Sequence, residues 1–435
     1  MKNTNKIFYN SLLSIAKVFY LLVPTFLLAF TIHNWFIYTL TTIKMCSVFA
    51  ISIVIFGYIY RSFDIKSSNL SKLITAQTIT LILSYFIIQF TLFVNDRNYL
   101  SLNQSLILLS VSFLFFCFYT KLLILFKNFY IGPKKVLLIT TNKNKHNLLK
   151  QMQRITKSYC VSSIALDTED YSDITIKAMD VNAIVIDEIN EVLKNKILNF
   201  CFFNKKEIDI IPSIEDLLIN KAYPLHFIDS PFLAYTSFGP RVYQRIIKRL
   251  FDLIVATVAL IIFSPLFLVI SILIKLTDRG PIFYKQERMT LNGKLFYVFK
   301  FRSMVVDAEK NGAQLAKEND SRITPIGKIL RSFRLDELPQ LINIIKGDMS
   351  IVGPRPERPE IAKEYEKELS QFNYRLAVKA GLTGYAQIYG RYNTTPKDKL
   401  KLDLMYISSF SLLLDLELIF KTVQILFEKE STEGF

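Results

Sequence analysis

Four long runs of apolar residues, separated by short polar segments, fill the first part of the chain. They cover residues 11–32, 37–60, 73–94 and 101–126, and each is close to the roughly 20 residues that an α-helix needs to cross a bilayer. The first run is too long for a cleaved signal peptide, and three similar runs follow it. The pattern therefore predicts a membrane domain of four transmembrane helices over residues 1–130. No charge lies at the centre of any run, which argues against a transporter.

Residues 134–235 alternate short apolar segments with polar segments of helical character. Strands are predicted at 135–139, 181–186 and 208–211, and this alternation is typical of a parallel βα sheet. A dinucleotide site would need glycines directly after the first strand, whereas the chain reads TTNKN from Thr140 onward. We therefore predict an α/β middle domain, a degenerate Rossmann-like fold without the Gly-rich loop, with a structural or regulatory role.

A fifth apolar run covers residues 250–276, with Ser264 and Pro265 at its centre and basic residues on both sides. Proline removes a helix hydrogen bond and bends the chain. The residues alone leave two interpretations open. One is a kinked helix that spans the membrane, because proline is tolerated in such helices. The other is a re-entrant helix that breaks at Ser264-Pro265 and returns to the side from which it came.

The distribution of charge along the chain predicts its orientation in the membrane. Lys and Arg number 53 against 37 Asp and Glu, for a net charge of +16. Basic residues precede the first apolar run, separate the second from the third, and follow the fourth. Because basic loops remain cytoplasmic, we predict a multi-pass protein of the inner (cytoplasmic) membrane with everything after residue 127 in the cytoplasm. No nucleic-acid motif accompanies the basic residues, so membrane lipid and anionic substrates are the expected partners, and nucleic acid is not.

The candidate chemistry lies in the segment LDELPQLINIIKG, which contains Asp336 and Glu337. Pro339 suits the first turn of a helix and Gly347 suits its end, so we predict a helix between them. The unpaired amides at its start would stabilise the two carboxylates. One carboxylate could then attack phosphorus while its neighbour holds a divalent metal. Taken alone, an Asp-Glu pair before a helix is more commonly a cap.

Basic side chains in stiff, Gly- and Pro-framed turns surround this pair in the sequence. Arginine forks match phosphate oxygens, and several such residues together fit a diphosphate site better than they fit scattered surface salt bridges. The candidates are Lys300 and Arg302 in KFRSM, Arg331 and Arg334 just before the pair, Arg355 in GPRP, and Arg391 after Gly390.

From about residue 245 to residue 429 the chain closely resembles the bacterial sugar transferase family, the polyprenyl-phosphate glycosyl-1-phosphate transferases. The resemblance covers an ordered series of motifs. These are KRLFD from Lys248, Ser264-Pro265, GPIF from Gly280, QER from Gln286, KFRSM from Lys300, LDELPQ from Leu335, KGDMSIVGPRP from Lys346, GLTGYAQIYGR from Gly381, Leu402-Asp403 with Tyr406, and Asp415 with Lys421-Thr422. The four N-terminal runs and the α/β domain are similar to those of the larger family members.

The resemblance implies a reaction and assigns residues to it. Asp336 would be the nucleophile, forming a sugar-1-phosphoryl-aspartate and releasing UMP, and Glu337 would bind Mg²⁺. Two further catalytic residues would support the phosphates and the dyad, namely Arg302 and Arg331. Three residues would bind substrate, namely Lys300, Arg355 and Arg391.

The resemblance also implies a mainly α, monotopic catalytic domain over residues 241–435, with a re-entrant helix at 250–276 that breaks at Ser264 and Pro265. Its substrates would be a UDP-sugar and undecaprenyl phosphate, which meet on the cytoplasmic face. Its product would be a polyprenyl-diphosphate-sugar that initiates exopolysaccharide, capsule or other surface glycan synthesis. A homodimer and later glycosyltransferases of the same pathway are further partners that the resemblance suggests.

The chain departs from the family pattern at two positions near the candidate site. The family has Ser where Arg334 stands and Trp where Tyr385 stands, so the identity of the sugar stays open. Two other functions also stay open at this point. One is a Leloir-type glycosyltransferase that releases UDP, and the other is a membrane scaffold or regulator of polysaccharide assembly.

Overall fold

The structure is a computed structural model, and its contacts divide the chain into two compact units, Met1–Ile211 and Pro212–Phe435. We describe each unit by itself. The described residues are 18, 20–29, 39–60, 62–63, 70–96, 101–130, 134–155, 159–220, 222–227, 230–234, 239–278, 280–305, 308, 320, 322–390 and 394–426.

The first unit begins with apolar helices, which confirms the prediction of a helical N-terminal region. They are α1 (Tyr20–Ala29), α2 (Thr39–Ile59), α3 (Leu70–Asp96) and α4 (Leu102–Tyr130). Within α3 and α4, the stretches Leu73–Val94 and Asn103–Phe126 are long and apolar enough to cross a membrane, and only 33% and 28% of them is buried in the protein. The remaining apolar surface of these helices therefore needs a lipid-like environment.

Neutral polar side chains hold these helices together from the inside. Gln77 on α3 accepts a hydrogen bond from Thr120 on α4 at 2.8 Å and donates one to the Ser62 carbonyl at 3.3 Å. The hydroxyls of Ser62 and Thr80 are 2.7 Å apart. Such buried hydrogen bonds between membrane helices fix which faces meet.

An α/β body follows in the same unit. Its elements are β1 (Lys134–Thr140), α5 (Lys145–Ile155), β2 (Tyr159–Leu166), α6 (Tyr171–Met179), β3 (Ala183–Ile186), α7 (Glu191–Phe203) and β4 (Glu207–Ile210). The four strands are parallel in the order β2-β1-β3-β4. Alternate side chains of β1 enter two different apolar clusters, Leu137 and Ile139 on one face and Val136 and Leu138 on the other. Both faces of the sheet are therefore covered, as parallel sheets require. A mixed α/β body is thus confirmed, and the relation to a Rossmann fold stays a prediction.

The second unit begins with α8 (Ile214–Ile219) and a two-stranded antiparallel hairpin of β5 (Tyr223–Phe227) and β6 (Ser230–Ala234). Ile214 and Leu217 of α8, each 5% exposed, belong to the same apolar core as Leu400 and Leu404. The sequence assigned this segment to a middle domain ending at residue 235, whereas the contacts of α8 place it with the C-terminal unit.

The longest helix of the protein's described residues is α9 (Val242–Asp278), which contains Pro265. Only 11% of its apolar stretch is buried in the protein. The structure shows one helix across Pro265 instead of two helices separated by a break. The hydroxyl of Ser264 donates to the Ile261 carbonyl at 2.8 Å, which is the carbonyl that loses its N–H partner because residue 265 is proline.

The rest of the second unit is assembled from short elements. They are β7 (Phe283–Met289), β8 (Leu295–Phe301), α10 (Pro325–Ser332), a 3₁₀ turn (Leu335–Glu337), α11 (Gln340–Lys346), β9 (Ser350–Val352), α12 (Pro359–Glu368), a 3₁₀ helix (Ser370–Ala377), β10 (Gly381–Thr383), α13 (Tyr385–Tyr389), α14 (Pro396–Ser408) and α15 (Leu412–Leu426). β7 and β8 form an antiparallel hairpin, and β9 and β10 a parallel pair.

The two halves of α9 pack against different parts of this unit. Ala256 in the first half is fully buried in the main core, which also contains Ile344 and Leu404. Ile270 and Ile274 in the second half form a cluster with Phe301 of β8 and Leu330 of α10. The helix is therefore anchored to the same unit on both sides of Pro265.

Candidate functional site

The Asp-Glu pair lies in the 3₁₀ turn Leu335–Glu337, directly before α11. Pro339 caps the start of α11, and Gly347 ends it with a left-handed φ of 94° that favours glycine. The predicted helix between these two residues is confirmed. At its C-terminal end, Arg249 of α9 donates to the carbonyls of Ile344 and Ile345 at 2.5 and 2.8 Å. A cation at this end of a helix satisfies unpaired carbonyls, so α9 fixes the position of the helix that follows the pair.

Packing and hydrogen bonds fix the pair relative to β8. Leu335 and Leu338, which flank the pair, contact the apolar cluster of Ile270, Ile274, Phe301 and Leu330. In α11, the buried Asn343 accepts a hydrogen bond from the Phe299 amide at 2.9 Å and donates one to the Tyr297 carbonyl at 2.8 Å. This amide bridge sets the register between α11 and β8, and it thereby brings Lys300 to the pair.

Two cations converge on one oxygen of Glu337. Lys300 Nζ lies 2.9 Å and Arg355 Nη2 2.7 Å from Glu337 Oε1. Burial by itself would raise the pKa of Glu337, but Arg355 and Lys300 outweigh it and hold this pKa well below its usual range. Glu337 is therefore ionised at neutral pH. The other oxygen, Oε2, has no partner among the described residues.

Asp336 has the opposite environment, although it is the next residue. It is 8% exposed, and its side chain makes no hydrogen bond or ion pair with any residue that the structure describes. Burial raises the pKa of Asp336, the charge of Glu337 raises it further, and Lys300 and Arg331 oppose the rise. A carboxylate with a raised pKa is more basic, and no donor in the described part of the chain blocks the oxygens of Asp336. Asp336 is thus suited to act as a nucleophile.

Close backbone packing surrounds the half-buried Arg331 and the buried Arg302. Arg331 Nε donates to Ser303 Oγ at 2.9 Å. A Cβ atom at Gly327 would lie 1.9 Å from the Ser303 carbonyl oxygen, and one at Gly280 would lie 2.0 Å from Arg302 Nη1. Gly280 therefore leaves the space that the Arg302 guanidinium needs, and Gly327 lets α10 pack against the backbone of Ser303, whose hydroxyl is the partner of Arg331. Burial lowers the pKa of Arg331, and the charge of Asp336 opposes this effect, which places the two groups within electrostatic reach of each other.

A second set of contacts positions Arg355. Its Nη1 donates to Gln387 Oε1 at 3.0 Å, and its backbone carbonyl accepts a hydrogen bond from Arg375 Nη2 at 2.9 Å. Arg375 is 2% exposed and also pairs with the buried Asp403 at 2.8 Å. Glu357 accepts from Lys399 at 2.7 Å. This ionic network lies behind Arg355 and holds the turn that presents it.

The residues predicted from the sequence fall into three groups in the structure. Direct contacts bring Glu337, Lys300 and Arg355 together around Asp336. Arg331 lies within electrostatic reach of Asp336, and Arg302 is buried against Gly280. Arg391 lies outside the described residues, and Ser264 and Pro265 are exposed in the middle of α9.

Sequence reasoning missed the positioning roles of Gln387, Arg375 and Asp403. Gln387 and Asp403 stand in segments that match the family, in YAQIYGR and Leu402-Asp403, but the spacing of these segments does not reveal which side chain they support. Arg375 stood in no motif that we identified.

The carboxylate pair is also the best place for a divalent metal among the described residues. These residues contain no group of three or more His, Cys, Asp or Glu side chains that could hold a metal ion. Mg²⁺ is commonly bound by one or two carboxylates together with substrate phosphates and water. Glu337 Oε2 and the Asp336 carboxylate supply such a donor set, so the residues present fit Mg²⁺ when a phosphate substrate completes the coordination.

Comparison with known proteins matches residues 243–429 to the family described as bacterial sugar transferase. The UDP-N-acetylgalactosamine-undecaprenyl-phosphate N-acetylgalactosaminephosphotransferase of Aeromonas hydrophila is 40% identical over 42% of this chain and 44% of its own length. The UDP-glucose:undecaprenyl-phosphate glucose-1-phosphate transferase of Klebsiella pneumoniae is 42% identical over 41% of this chain and 40% of its own length. The exopolysaccharide production protein ExoY of Rhizobium meliloti is 41% identical over 40% of this chain and 83% of its own length.

The extent of these matches differs between the relatives. The chain spans less than half the length of the Aeromonas and Klebsiella relatives that it matches, but it spans most of the length of ExoY. All matched motifs, including the Asp-Glu pair, lie in the second compact unit.

Proposed function

This chain belongs to the bacterial sugar transferase family, and from that premise we propose that it transfers a sugar 1-phosphate from a UDP-sugar to undecaprenyl phosphate. The products are a polyprenyl-diphosphate-sugar and UMP. The names of the Aeromonas and Klebsiella relatives describe this class of reaction. One observation carries the proposal: a buried Asp336, without a partner among the described residues, lies next to a Glu337 that Lys300 and Arg355 neutralise.

The proposed reaction has two steps at one site. A carboxylate oxygen of Asp336 attacks the phosphorus that carries the sugar, the bond from this phosphorus to the bridging oxygen breaks, and UMP leaves. A phosphate oxygen of undecaprenyl phosphate then attacks the same phosphorus, and the Asp336 carboxylate is released. Covalent catalysis of this kind lets donor and acceptor use one site in turn.

The cations of the site act mainly by positioning and by charge neutralisation, which is what phosphoryl transfer requires. Lys300 and Arg355 hold Glu337 in place and offset the charge of the pair. Arg331, within electrostatic reach of Asp336, opposes protonation of the nucleophile. Arg302 and Arg391 are the further basic residues that we assign to phosphate binding.

Glu337 is the proposed ligand of Mg²⁺ through Oε2, with Asp336 beside it. When bound, the metal would neutralise charge on the diphosphate. Glu337 suits this role because its low pKa keeps it ionised at neutral pH.

The proposed membrane path keeps this site on the cytoplasmic face. α9 enters the membrane, turns near Pro265 and returns, so that both of its basic ends stay in the cytoplasm. Two observations support a path that keeps both ends of α9 on one side: the exposed apolar surface of α9 and the anchoring of both of its halves to one unit. The protein is membrane-associated, and we propose that α1 to α4 make it a multi-pass protein of the inner membrane.

The remaining assignments concern the other unit and the pathway. We assign the α/β body to a degenerate Rossmann-like domain with a structural or regulatory role. A second copy of the chain and later glycosyltransferases of the same pathway are its proposed partners, and the product would enter exopolysaccharide or capsule synthesis. The two relatives named for UDP-sugars use different sugars, so the sugar is left to experiment.

The test is to incubate the purified protein with undecaprenyl phosphate, Mg²⁺ and a panel of UDP-sugars that includes UDP-glucose and UDP-N-acetylgalactosamine. We expect release of UMP and formation of a diphosphate-linked lipid with one of them. Release of UDP would instead identify a Leloir-type glycosyltransferase. No turnover of any donor would favour a scaffold or regulator of polysaccharide assembly.

A further inference from the structure

Arg334 adopts an unusual backbone conformation two residues before Asp336. Its φ and ψ are 54° and 22°, in the left-handed region that non-glycine residues rarely occupy. Its amide donates to the Arg331 carbonyl at 3.0 Å, and its own carbonyl accepts from the Glu337 amide at 3.2 Å. The backbone of Arg334 therefore joins the end of α10 to the turn that carries the pair. Such a conformation persists where the surrounding structure holds it, and it is often found at functional sites.

The other basic side chains near the pair have protein partners. Lys300 and Arg355 contact Glu337, and Arg331 contacts Ser303. The side chain of Arg334 makes no hydrogen bond and no ion pair with any residue in the part of the chain that the structure describes. Its five N–H donors are thus available to a ligand.

The surroundings of Arg334 favour an anionic ligand. The residue is half-buried, and burial lowers the pKa of its guanidinium while Glu337 raises it and Arg355 lowers it. Arg334 is thus close enough to sense the pair and Arg355 without bonding to them. A partly desolvated cation that bonds directly to no anion among the described residues is unfavourable, so an incoming anion would be bound well. Two exposed apolar side chains, Ile329 and Phe333 (59% and 60% exposed), lie in the same segment of the chain as Arg334.

We propose that Arg334 binds a phosphate group of a substrate beside the Asp336-Glu337 pair. This inference rests on the proposed function and deepens it, because it assigns a further residue of this chain to substrate binding. The phosphate comes from one of two sources, the diphosphate of the nucleotide-sugar or the phosphate of the polyprenyl lipid. A planar guanidinium suits either, because it can donate two parallel hydrogen bonds to one phosphate.

Binding and kinetics of three variants test the proposal in the full-length protein. Arg334→Ser introduces the family residue, Arg334→Asn removes the charge with a side chain that tolerates the left-handed conformation, and Arg334→Lys keeps the charge but loses the fork. Dissociation constants are measured for UDP and for undecaprenyl phosphate in detergent, and KM for both substrates is measured by UMP release. We expect Ser and Asn to weaken one of the two ligands roughly 10- to 100-fold, with Lys between them and the wild type.

Lys328→Ser is the matched control, because Lys328 is an exposed cation on α10, in the same segment of the chain. Weaker UDP binding by the Arg334 variants alone would identify the diphosphate as the ligand, and weaker undecaprenyl phosphate binding would identify the lipid phosphate. Unchanged dissociation constants and KM values for both ligands would overturn the proposal, as would an equal loss in Lys328→Ser. If the wild type releases no UMP from any donor, the proposed function fails, whereas the binding measurements still decide the role of Arg334.

Discussion

At the scale of single residues, two neighbouring carboxylates differ in what surrounds them. Glu337 has two cations on one oxygen and a lowered pKa, whereas Asp336 has no direct partner among the described residues and a raised pKa. Environments that push the pKa values of two adjacent acids apart assign them different chemical roles. This difference supports the proposed roles of Asp336 in attack and of Glu337 in metal binding.

The first prediction concerns the nucleophile. Asp336→Asn should lower UMP release by on the order of 10³-fold or more, because an amide cannot form the covalent intermediate. The protein should remain folded and membrane-bound, since Asn has nearly the same volume and removes a buried charge. UMP release and thermal unfolding measure the two effects.

Glu360→Gln, at an exposed site on α12, is the control and should leave activity unchanged. Near-normal UMP release by Asp336→Asn would show that the nucleophile is another residue.

The second prediction concerns the metal. Glu337→Gln should lower activity and raise the Mg²⁺ concentration needed for half-maximal activity, each roughly 10- to 100-fold, because the charge that attracts the metal is lost. Lys300 and Arg355 would also lose their counter-ion. Activity over a series of Mg²⁺ concentrations measures the change. Excess chelator should silence the wild type, and added Mg²⁺ should restore it. Full activity of the wild type in excess chelator is the result that would exclude the metal role.

The sequence allowed the identity of these residues to be predicted, but not their contacts. Asp336, Glu337, Lys300 and Arg355 stand in motifs that are rich in Gly and Pro, so each could be singled out. The convergence of Lys300 and Arg355 on Glu337 Oε1 depends on the register that Asn343 sets between α11 and β8. That register is set by contacts between residues more than 40 positions apart, which a local pattern does not encode.

At the scale of elements, periodicity and end signals predicted what is locally encoded. The strands expected at 135–139 and 208–211 are β1 and β4 within about one residue at each end. α11 was predicted because a proline and a glycine mark its two ends. β2 was missed because Ser162 and Ser163 interrupt its apolar pattern. Proline chemistry predicted a break of the helix at Pro265. The structure instead shows that Ser264 donates to the Ile261 carbonyl, which Pro265 leaves without a partner, and that the helix continues.

The third prediction tests the path of α9. Replacing Ser264 by Ala and Pro265 by Leu restores a regular helix, and the 37 residues of α9 then measure about 55 Å at roughly 1.5 Å per residue, which is ample to span a bilayer. The variant should tend to carry the residues that follow α9 to the outside and lose activity. A cysteine at Glu360, in a chain with the exposed Cys160 changed to Ser, reports this through an impermeant thiol reagent on intact cells.

The reference for this experiment is the same cysteine in a chain that keeps Ser264 and Pro265. It should be labelled only after the cells are opened, because the proposed re-entrant path leaves residue 360 in the cytoplasm. Labelling of this reference chain from outside would contradict the re-entrant path and the cytoplasmic position of the site.

At the scale of the whole molecule, the described residues of the candidate site all belong to one of the two compact units. Every described residue of the candidate site lies in Pro212–Phe435, together with the apolar helix α9. ExoY matches this chain over 83% of its own length although the match covers only 40% of this chain. A protein of that size therefore consists largely of the matched region, which argues that this region can fold without the first unit.

The last prediction is that residues 212–435 alone bind the membrane and release UMP from the same donor as the full chain. Membrane binding should persist because only 11% of the apolar stretch of α9 is buried within the protein. Activity should persist within a few-fold, because the contacts around Asp336 and Glu337 come from residues 300–387.

A shorter fragment, residues 239–435, is the matched comparison, since it lacks α8. Without α8, the fragment loses the core packing of Ile214 and Leu217. Each of these buried side chains contributes about 2 kcal/mol to the free energy of unfolding, so this fragment should unfold at a lower temperature. If the 212–435 fragment is folded and membrane-bound but releases no UMP, the first unit takes part in the reaction, and the confinement of the chemistry to one unit is wrong.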